Sequence, residues 1–303
     1  MKRIAFLILF FPAMLHAQPL PERPQVGLLL QSGMSIYFQE HAQGPYSGFQ
    51  VYTARLRLRG RLQQELTYTL QTDFTRSNLL LDARVVYRFR PRVALAIGQF
   101  KAPFSAEALT SAAQLDFISR ARIVSQQAPG RQVGMQIAFQ SPSRRFQWAG
   151  GIFNGDSRRP TGNADAQLLY ASRLESQWFP ESPLCVGLSG AITSSGDIRS
   201  GIDLRFQQKN WFLSAEWIEA RQAHRRYDRG FHLSSGLFVT RTLQALIRLD
   251  ALQPSEGERD ELLIVGLNLG TSRRFFAQVN YFIPLRDAAL SQHYILTKIQ
   301  VNI

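Results

Sequence analysis

Cysteine is almost absent. Cys185 is the single cysteine in 303 residues, which excludes an internal disulfide framework and any zinc site built from several cysteines. Lysine is scarce as well. Of 35 basic residues, Lys2, Lys101, Lys209 and Lys298 are the four lysines, so 31 are arginine. Acids number only 22. Catalytic signatures are missing too. No histidine stands in an H-E-x-x-H run and no G-x-S-x-G occurs, although a hydrolase needs a nucleophile with its base. No metal site, cofactor or enzyme activity is expected from these residues.

Long apolar runs are missing after the N-terminus. Met1 to Ala17 reads as a secretory signal peptide: Lys2 and Arg3 lead an apolar run from Ile4 to Leu15, and Ala17 offers a small residue at a cleavage point. The rest, 18–303, holds no stretch long enough for a membrane-spanning helix. Its formal charge is 13 − 2 = +11 once Lys2 and Arg3 leave. Nucleic acid is the usual partner of such a charge, but a secreted chain without a recognition motif is not expected to bind it. Arginine is instead the residue preferred for planar oxyanions, which it meets with paired N–H donors.

What the sequence does contain is alternation. From Gln25 onward about sixteen runs of period 2 follow one another. They span 25–38, 47–61, 65–75, 79–90, 93–100, 131–140, 145–154, 166–179, 184–194, 198–207, 210–220, 229–240, 242–252, 260–270, 273–283 and 291–303. Each is near the roughly ten residues that a tilted membrane strand needs. Connections mostly alternate short and long, the habit of bacterial outer-membrane barrels with tight periplasmic turns and longer outside loops. The expected fold is all-β: a transmembrane antiparallel barrel of about 16 strands in one domain. A soluble sandwich also gives many short strands, but one even rhythm suits a closed barrel, which has no edges. Trp148, Tyr170, Trp211 and Trp217 are candidates for interfacial belts.

Alternation also sorts the charges. In Val51–Arg61, Arg55, Arg57, Arg59 and Arg61 share one face, opposite Tyr52, Ala54, Leu56, Leu58 and Gly60. An arginine near the bilayer midplane costs about 2–4 kcal/mol, so the arginine face is expected to line the lumen. Asp82, Arg84 and Arg88 share a face in the same way. In the last strand Lys298, Gln300 and Asn302 oppose Ile299, Val301 and Ile303. Arg173, Arg205 and Arg248 are further lumen candidates. Asp73, Asp82, Glu175, Asp203, Glu216 and Asp250 share that wall, so cross-strand pairing competes with anion binding. Asp82 is the nearest acid to Arg84 and Arg88, while the Arg55–Arg61 row contains none.

One segment breaks the rhythm. Residues 101–130 lack alternation for longer than an ordinary connection. Ser105 is placed to cap a short helix over Ala106–Gln114. Phe100, Phe104, Leu109, Leu115, Phe117 and Ile118 need something to pack against. Lys101, Arg120, Arg122 and Arg131 supply cations. By count this is the third outside loop, and it is expected to fold into the barrel and line a constriction with positive charge. A row of cations in series gives an anion a path that it can leave again.

Several motifs, in order, resemble the phosphate-selective porin O and P family. They are ARLRLRGRL (54–62), LLDARVVYRF (80–89), GQFKAPFSAEALTS (98–111), DFISRA (116–121), APGRQVGMQ (128–136) and WAGGIFNGD (148–156). Ser119 and Gln132 stand where the family pattern carries acids. The resemblance implies a sixteen-stranded porin of the bacterial outer membrane, commonly trimeric, with an inward third loop and anion preference. Lys101 and Arg131 match basic positions of its motifs. The implied function is a water-filled diffusion channel for small, phosphate-like anions. A structural or adhesin-like barrel without selective transport is the alternative, with an outer-membrane hydrolase a distant third.

Overall fold

Each residue of a strand turns its side chain to the opposite face from its neighbour. A chain of alternating segments therefore closes readily into a cylinder with one face to lipid and one to the lumen. The computed structural model describes residues 23–38, 46–156, 162–163, 166–177, 183–222, 227–286 and 293–303. The expected signal peptide lies outside them. The strands are β1 (Gln25–Tyr37), β2 (Gly48–Arg61), β3 (Leu66–Asp73), β4 (Leu80–Arg90), β5 (Val93–Lys101), β6 (Arg131–Gln140), β7 (Phe146–Phe153), β8 (Leu169–Gln177), β9 (Leu184–Thr193), β10 (Ile198–Gln207), β11 (Trp211–Arg221), β12 (Tyr227–Phe238), β13 (Leu243–Gln253), β14 (Asp260–Ser272), β15 (Phe275–Pro284) and β16 (Tyr294–Asn302). Each pairs antiparallel with the next, and β1 pairs with β16 to close the barrel. All sixteen expected strands are present, with ends displaced by a few residues.

The lipid face follows the alternation. On β15, Phe275 and Val279 are exposed while Phe276, Gln278, Asn280 and Phe282 are buried within. On β16, Ile299 points out and Lys298 and Gln300 point in. Trp148, Tyr170, Trp211 and Trp217 are exposed on the outside.

Two features differ from the sequence reading. The helix expected over 106–114 is divided. Helix α1 covers Ala106–Leu109, a 3₁₀ turn covers Ala112–Gln114, and a second helix, α2, covers Arg122–Gln127. Ser105 does cap α1, its hydroxyl accepting from the Ala108 N–H at 3.0 Å. Thr110 then leaves the helical conformation, and Ser111 caps the next turn. Secondly, the lumen is not polar all round. Ile218, Leu246, Leu252, Leu262, Ile264 and Phe282 are inward-facing and buried on β11 and β13–β15.

The reason is the segment 101–130. Phe104, Ile123 and Val124 pack with Ile218 and Leu252 in one apolar cluster. Phe117 packs with Phe212, Leu246, Leu262, Ile264 and Phe282 in another. Burying a side chain such as Phe117 contributes about 1.5–3 kcal/mol, so the segment is held in the barrel as a plug against the apolar part of its inner wall. Leu109 is the exception: it stays exposed.

Candidate functional site

Polar side chains of the barrel wall fix the plug by its backbone at several points. Gln278 Nε2 donates to the Asp116 carbonyl at 2.6 Å, and Asn268 Nδ2 donates to the same carbonyl at 2.9 Å. Asn280 Oδ1 accepts from the Ile118 N–H at 2.8 Å. Gln300 Nε2 donates to the Ala113 carbonyl and Gln31 Nε2 to the Ala112 carbonyl, both at 3.2 Å. Buried backbone groups need such partners, and amides with both a donor and an acceptor suit the task.

The strongest bolt is ionic. Arg248, 3% exposed, donates to Glu107 Oε1 at 2.7 Å, to the Ser119 carbonyl at 3.0 Å and to Ser234 Oγ at 3.1 Å. Its guanidinium also stacks 4.1 Å from the Phe117 ring centroid. Burial would push the Glu107 carboxyl up, but Arg248 and His232 outweigh it and hold Glu107 below the ordinary glutamate range. Burial does push Asp116 up, against the pull of Arg273, which bonds it at 2.6 Å.

Beside the plug the lumen stays open. A cavity of about 660 Å³ runs along the β2–β8 wall. Eleven basic side chains and two acids line it. Arg57, Arg59, Arg84 and Arg88 face it from β2 and β4, with Thr69 and Gln71 of β3 between them. Beside Arg88 the same row of the wall continues with Ala94, Ala138 and Ala149, residues too short to fill the space. Alternate residues of one strand lie about 6.8 Å apart, so Arg57 and Arg59 form successive steps of one path.

The ten cations singled out in the sequence divide into three groups. Arg57, Arg59, Arg84 and Arg88 line the cavity with no ion pair among the described residues, and Arg84 Nε lacks a hydrogen-bond partner there. Arg55, Arg131, Lys101 and Arg120 also line it but are engaged. Arg55 Nε bonds the fully buried Asp73 at 2.8 Å. Arg131, not Arg84 or Arg88, takes Asp82, in a two-pronged contact at 2.9 and 3.2 Å. The Lys101 ammonium donates to the carbonyls of Ala108, Leu109 and Thr110 at 2.6, 3.1 and 2.8 Å, where it caps the C-terminal end of α1. Arg120 Nε donates to the Glu107 carbonyl at 3.0 Å. Arg61 and Arg122 do not line the cavity. Arg61 is exposed at the end of β2, and Arg122 pairs with Asp260 on the far side of the plug. The acids of the cavity are neutralised in place: Glu175 meets both Arg173 and Arg205.

Sequence reasoning did not foresee the amide clamps or the alanine wall. Gln300 stood on the expected lumen face, but nothing in its spacing told that it holds a loop.

The profile of the phosphate-selective porin O and P family matches residues 25–217, well over half of the chain. The chain belongs to that family. This porin matches no curated protein sequence. Among solved structures it is similar to an anion-selective porin from Comamonas acidovorans, at 12% identity and a TM-score of 0.70, covering 93% of this chain and 100% of the other. It is also similar to OmpF of Salmonella typhi in complex with daunomycin (9% identity, TM-score 0.67, 92% and 97% covered). A trimer form of OmpT from Vibrio cholerae gives 8% identity, a TM-score of 0.66 and coverage of 93% and 99%. Identities this low speak for the fold. The family places this porin in the bacterial outer membrane as a channel.

Proposed function

We propose that this porin is an anion-preferring diffusion channel for small, phosphate-like oxyanions, working as a homotrimer, with residues 101–130 as its constriction. In this reading the end of the barrel that carries the longer connections faces outside. The observation that carries the proposal is the charge of the open half-lumen: eleven basic side chains against two acids, both acids already paired. Guanidiniums replace part of an oxyanion's hydration through charge-assisted hydrogen bonds. The Comamonas protein's anion selectivity and the trimer of the Vibrio protein support the two parts of the reading.

The test is purified protein in a planar bilayer under a salt gradient. A reversal potential of the sign set by anion flow is expected, and added phosphate should lower the chloride current. A reversal potential on the cation side, or no conductance steps at all, overturns the reading. The second result would favour the structural barrel.

Cysteine labelling checks the constriction. In a Cys185→Ser background, Ala112→Cys lines the open cavity, while Ala108→Cys packs against the apolar cluster. A thiol-reactive cation added to the bath should reduce current through the Ala112 variant and leave the Ala108 variant unchanged. Equal responses would mean that the plug is not held as described.

A further inference from the structure

The barrel wall holds a buried histidine beside the plug. His232 of β12 is 4% exposed. Its Nε2 stands 3.8 Å from Glu107 Oε2 on α1 and 3.7 Å from Glu216 Oε2 on β11. Both gaps are too long for a hydrogen bond, and Nε2 has no other partner among the described residues. Nδ1 lies 3.3 Å from Ser234 Oγ, which also accepts from Arg248 Nε at 3.1 Å. Asp250 of β13 is directly across the ladder from His232. Its Oδ2 accepts from the Arg122 N–H at 2.9 Å, while Oδ1 is buried without a partner. The other charges nearby are already taken. Asp203 of β10, across from Glu216, is held by Arg173 at 2.5 Å and by Arg205 at 3.5 Å. On the plug, Arg120 is turned to the Glu107 and Thr110 carbonyls, and Asp116 is bound to Arg273. Arg248 bonds Glu107. Three carboxylates therefore surround one guanidinium and one imidazole. Neither Glu216 nor Asp250 has an arginine or lysine in an ion pair among the described residues.

We infer that His232 is a proton-operated latch: its protonated imidazole ties Glu107 of the plug to Glu216 of the wall, so the plug is held more tightly in mild acid than in mild alkali. Imidazole is the side chain that gains its charge between pH 8 and pH 5. In the neutral ring one nitrogen donates and the other accepts. When both donate, Nδ1 turns its proton to Ser234 Oγ and Nε2 turns its proton to the two carboxylates. An approach of about 0.5 Å brings either oxygen to hydrogen-bond distance. Bonds between ionised partners are the strong ones, and burial strengthens them. The new charge also relieves the local excess of carboxylates. The sign follows: the tie is present while the imidazole is charged and is lost as pH rises through its titration. Glu107 stays ionised across that window, since it is held below the ordinary glutamate range. A cavity of about 150 Å³ lined by Glu107, Glu216 and His232 leaves room for water to carry the proton. The inference rests on residues 101–130 being the constriction, but not on which ion passes it.

The experiment is the labelling rate of Ala108→Cys, which reports undocking of the plug, divided by that of Ala112→Cys, which faces the open cavity. Both are made in the full-length Cys185→Ser barrel, with a thiol-reactive cation as probe and intact mass as readout. The division removes the common pH dependence of thiol chemistry. With His232 in place the ratio should fall about ten-fold on going from about pH 8 to about pH 5.5, the lower end of what one charge-assisted hydrogen bond supplies. With His232→Gln it should stay at its alkaline value throughout. Glu216→Gln keeps the histidine but removes one acceptor, and it should give a smaller fall. A ratio that does not change with pH while His232 is present overturns the inference, whatever the variants do. So does a fall of the same size in His232→Gln, which would assign the effect to another group. If the His232→Gln barrel does not assemble, as read from its gel mobility before heating, Glu216→Gln decides: an undiminished fall overturns the latch and a reduced one supports it. Loss of anion preference in bilayers would leave these rates untouched, so the two readings fail separately.

Discussion

Arg248→Ala is expected to loosen the 101–130 plug and to lower the stability of its docking by about 3–5 kcal/mol, the usual cost of stripping one partner from a buried ion pair. The variant leaves the Glu107 carboxylate inside the lumen without its main counter-charge. It also removes the donor to the Ser119 carbonyl and the cation stacked on Phe117. Three ties between the β13 wall and the plug are lost with one side chain. The gel-mobility transition on heating in detergent should begin at a lower temperature. Single-channel records should show added current noise as the plug moves. Arg248→Met fills the volume without charge and should behave like the alanine variant, since the loss is electrostatic. An unchanged heat transition with quiet current would mean that the amides of Gln278, Asn268 and Asn280 hold the plug unaided.

Acid should act on the same bolt. Glu107 titrates below the ordinary glutamate value in the folded barrel, so its charged form stabilises docking at neutral pH. That contribution is lost as pH falls through the lowered value, and it is fully present above the unfolded one. Asp116 has the opposite sign: burial raises it, so its protonation on the way down is favourable. Current noise that sets in only at strongly acid pH identifies Glu107 as the group responsible.

The sixteen strands were legible because lipid enforces alternation on every one of them: a charge on the wrong face costs about 2–4 kcal/mol. What the inner wall of the docking half packs against was not legible, for the same physical reason in reverse. Once the plug enters the lumen, inward positions such as Ile264 and Phe282 become apolar core, and LLIVGLNLG (262–270) contrasts its two faces less sharply than the other runs. The basic residues were legible as types and as a face, but their partners were not. Asp82 is in sequence beside Arg84, yet Arg131 reaches it from β6. Asp73 neutralises Arg55 from the neighbouring strand. Lys101 turns to carbonyls that exist only because α1 ends at Leu109. Cross-strand register and a helix end decide which cations stay free, and neither can be read from spacing.

The free cations are therefore where selectivity is expected to reside, and Arg57→Gln with Arg59→Gln is the sharpest test. Both side chains line the cavity and neither meets an acid among the described residues. A unit charge about 7 Å from an ion in a water-like medium is worth about 0.6 kcal/mol, close to RT, or roughly three-fold in local anion concentration. Two such charges give about a ten-fold effect at low salt. The reversal potential in a low-salt gradient should move clearly toward zero. At about 0.1 M salt the Debye length is about 10 Å, so the shift should shrink as salt rises. Arg55→Gln is a poorer probe, because it leaves the fully buried Asp73 with only the looser Arg76 as counter-charge, and so weakens the barrel wall as it removes charge. The control is Arg229→Gln with Arg259→Gln, which takes the same charge from the outer face. It should leave the reversal potential where it was. If the lumen pair and the outer pair shift it equally, selectivity follows the net charge of the protein and not the Arg57–Arg59 path. If neither pair shifts it, the engaged cations at the plug, Lys101 and Arg120, set the preference despite their carbonyl partners.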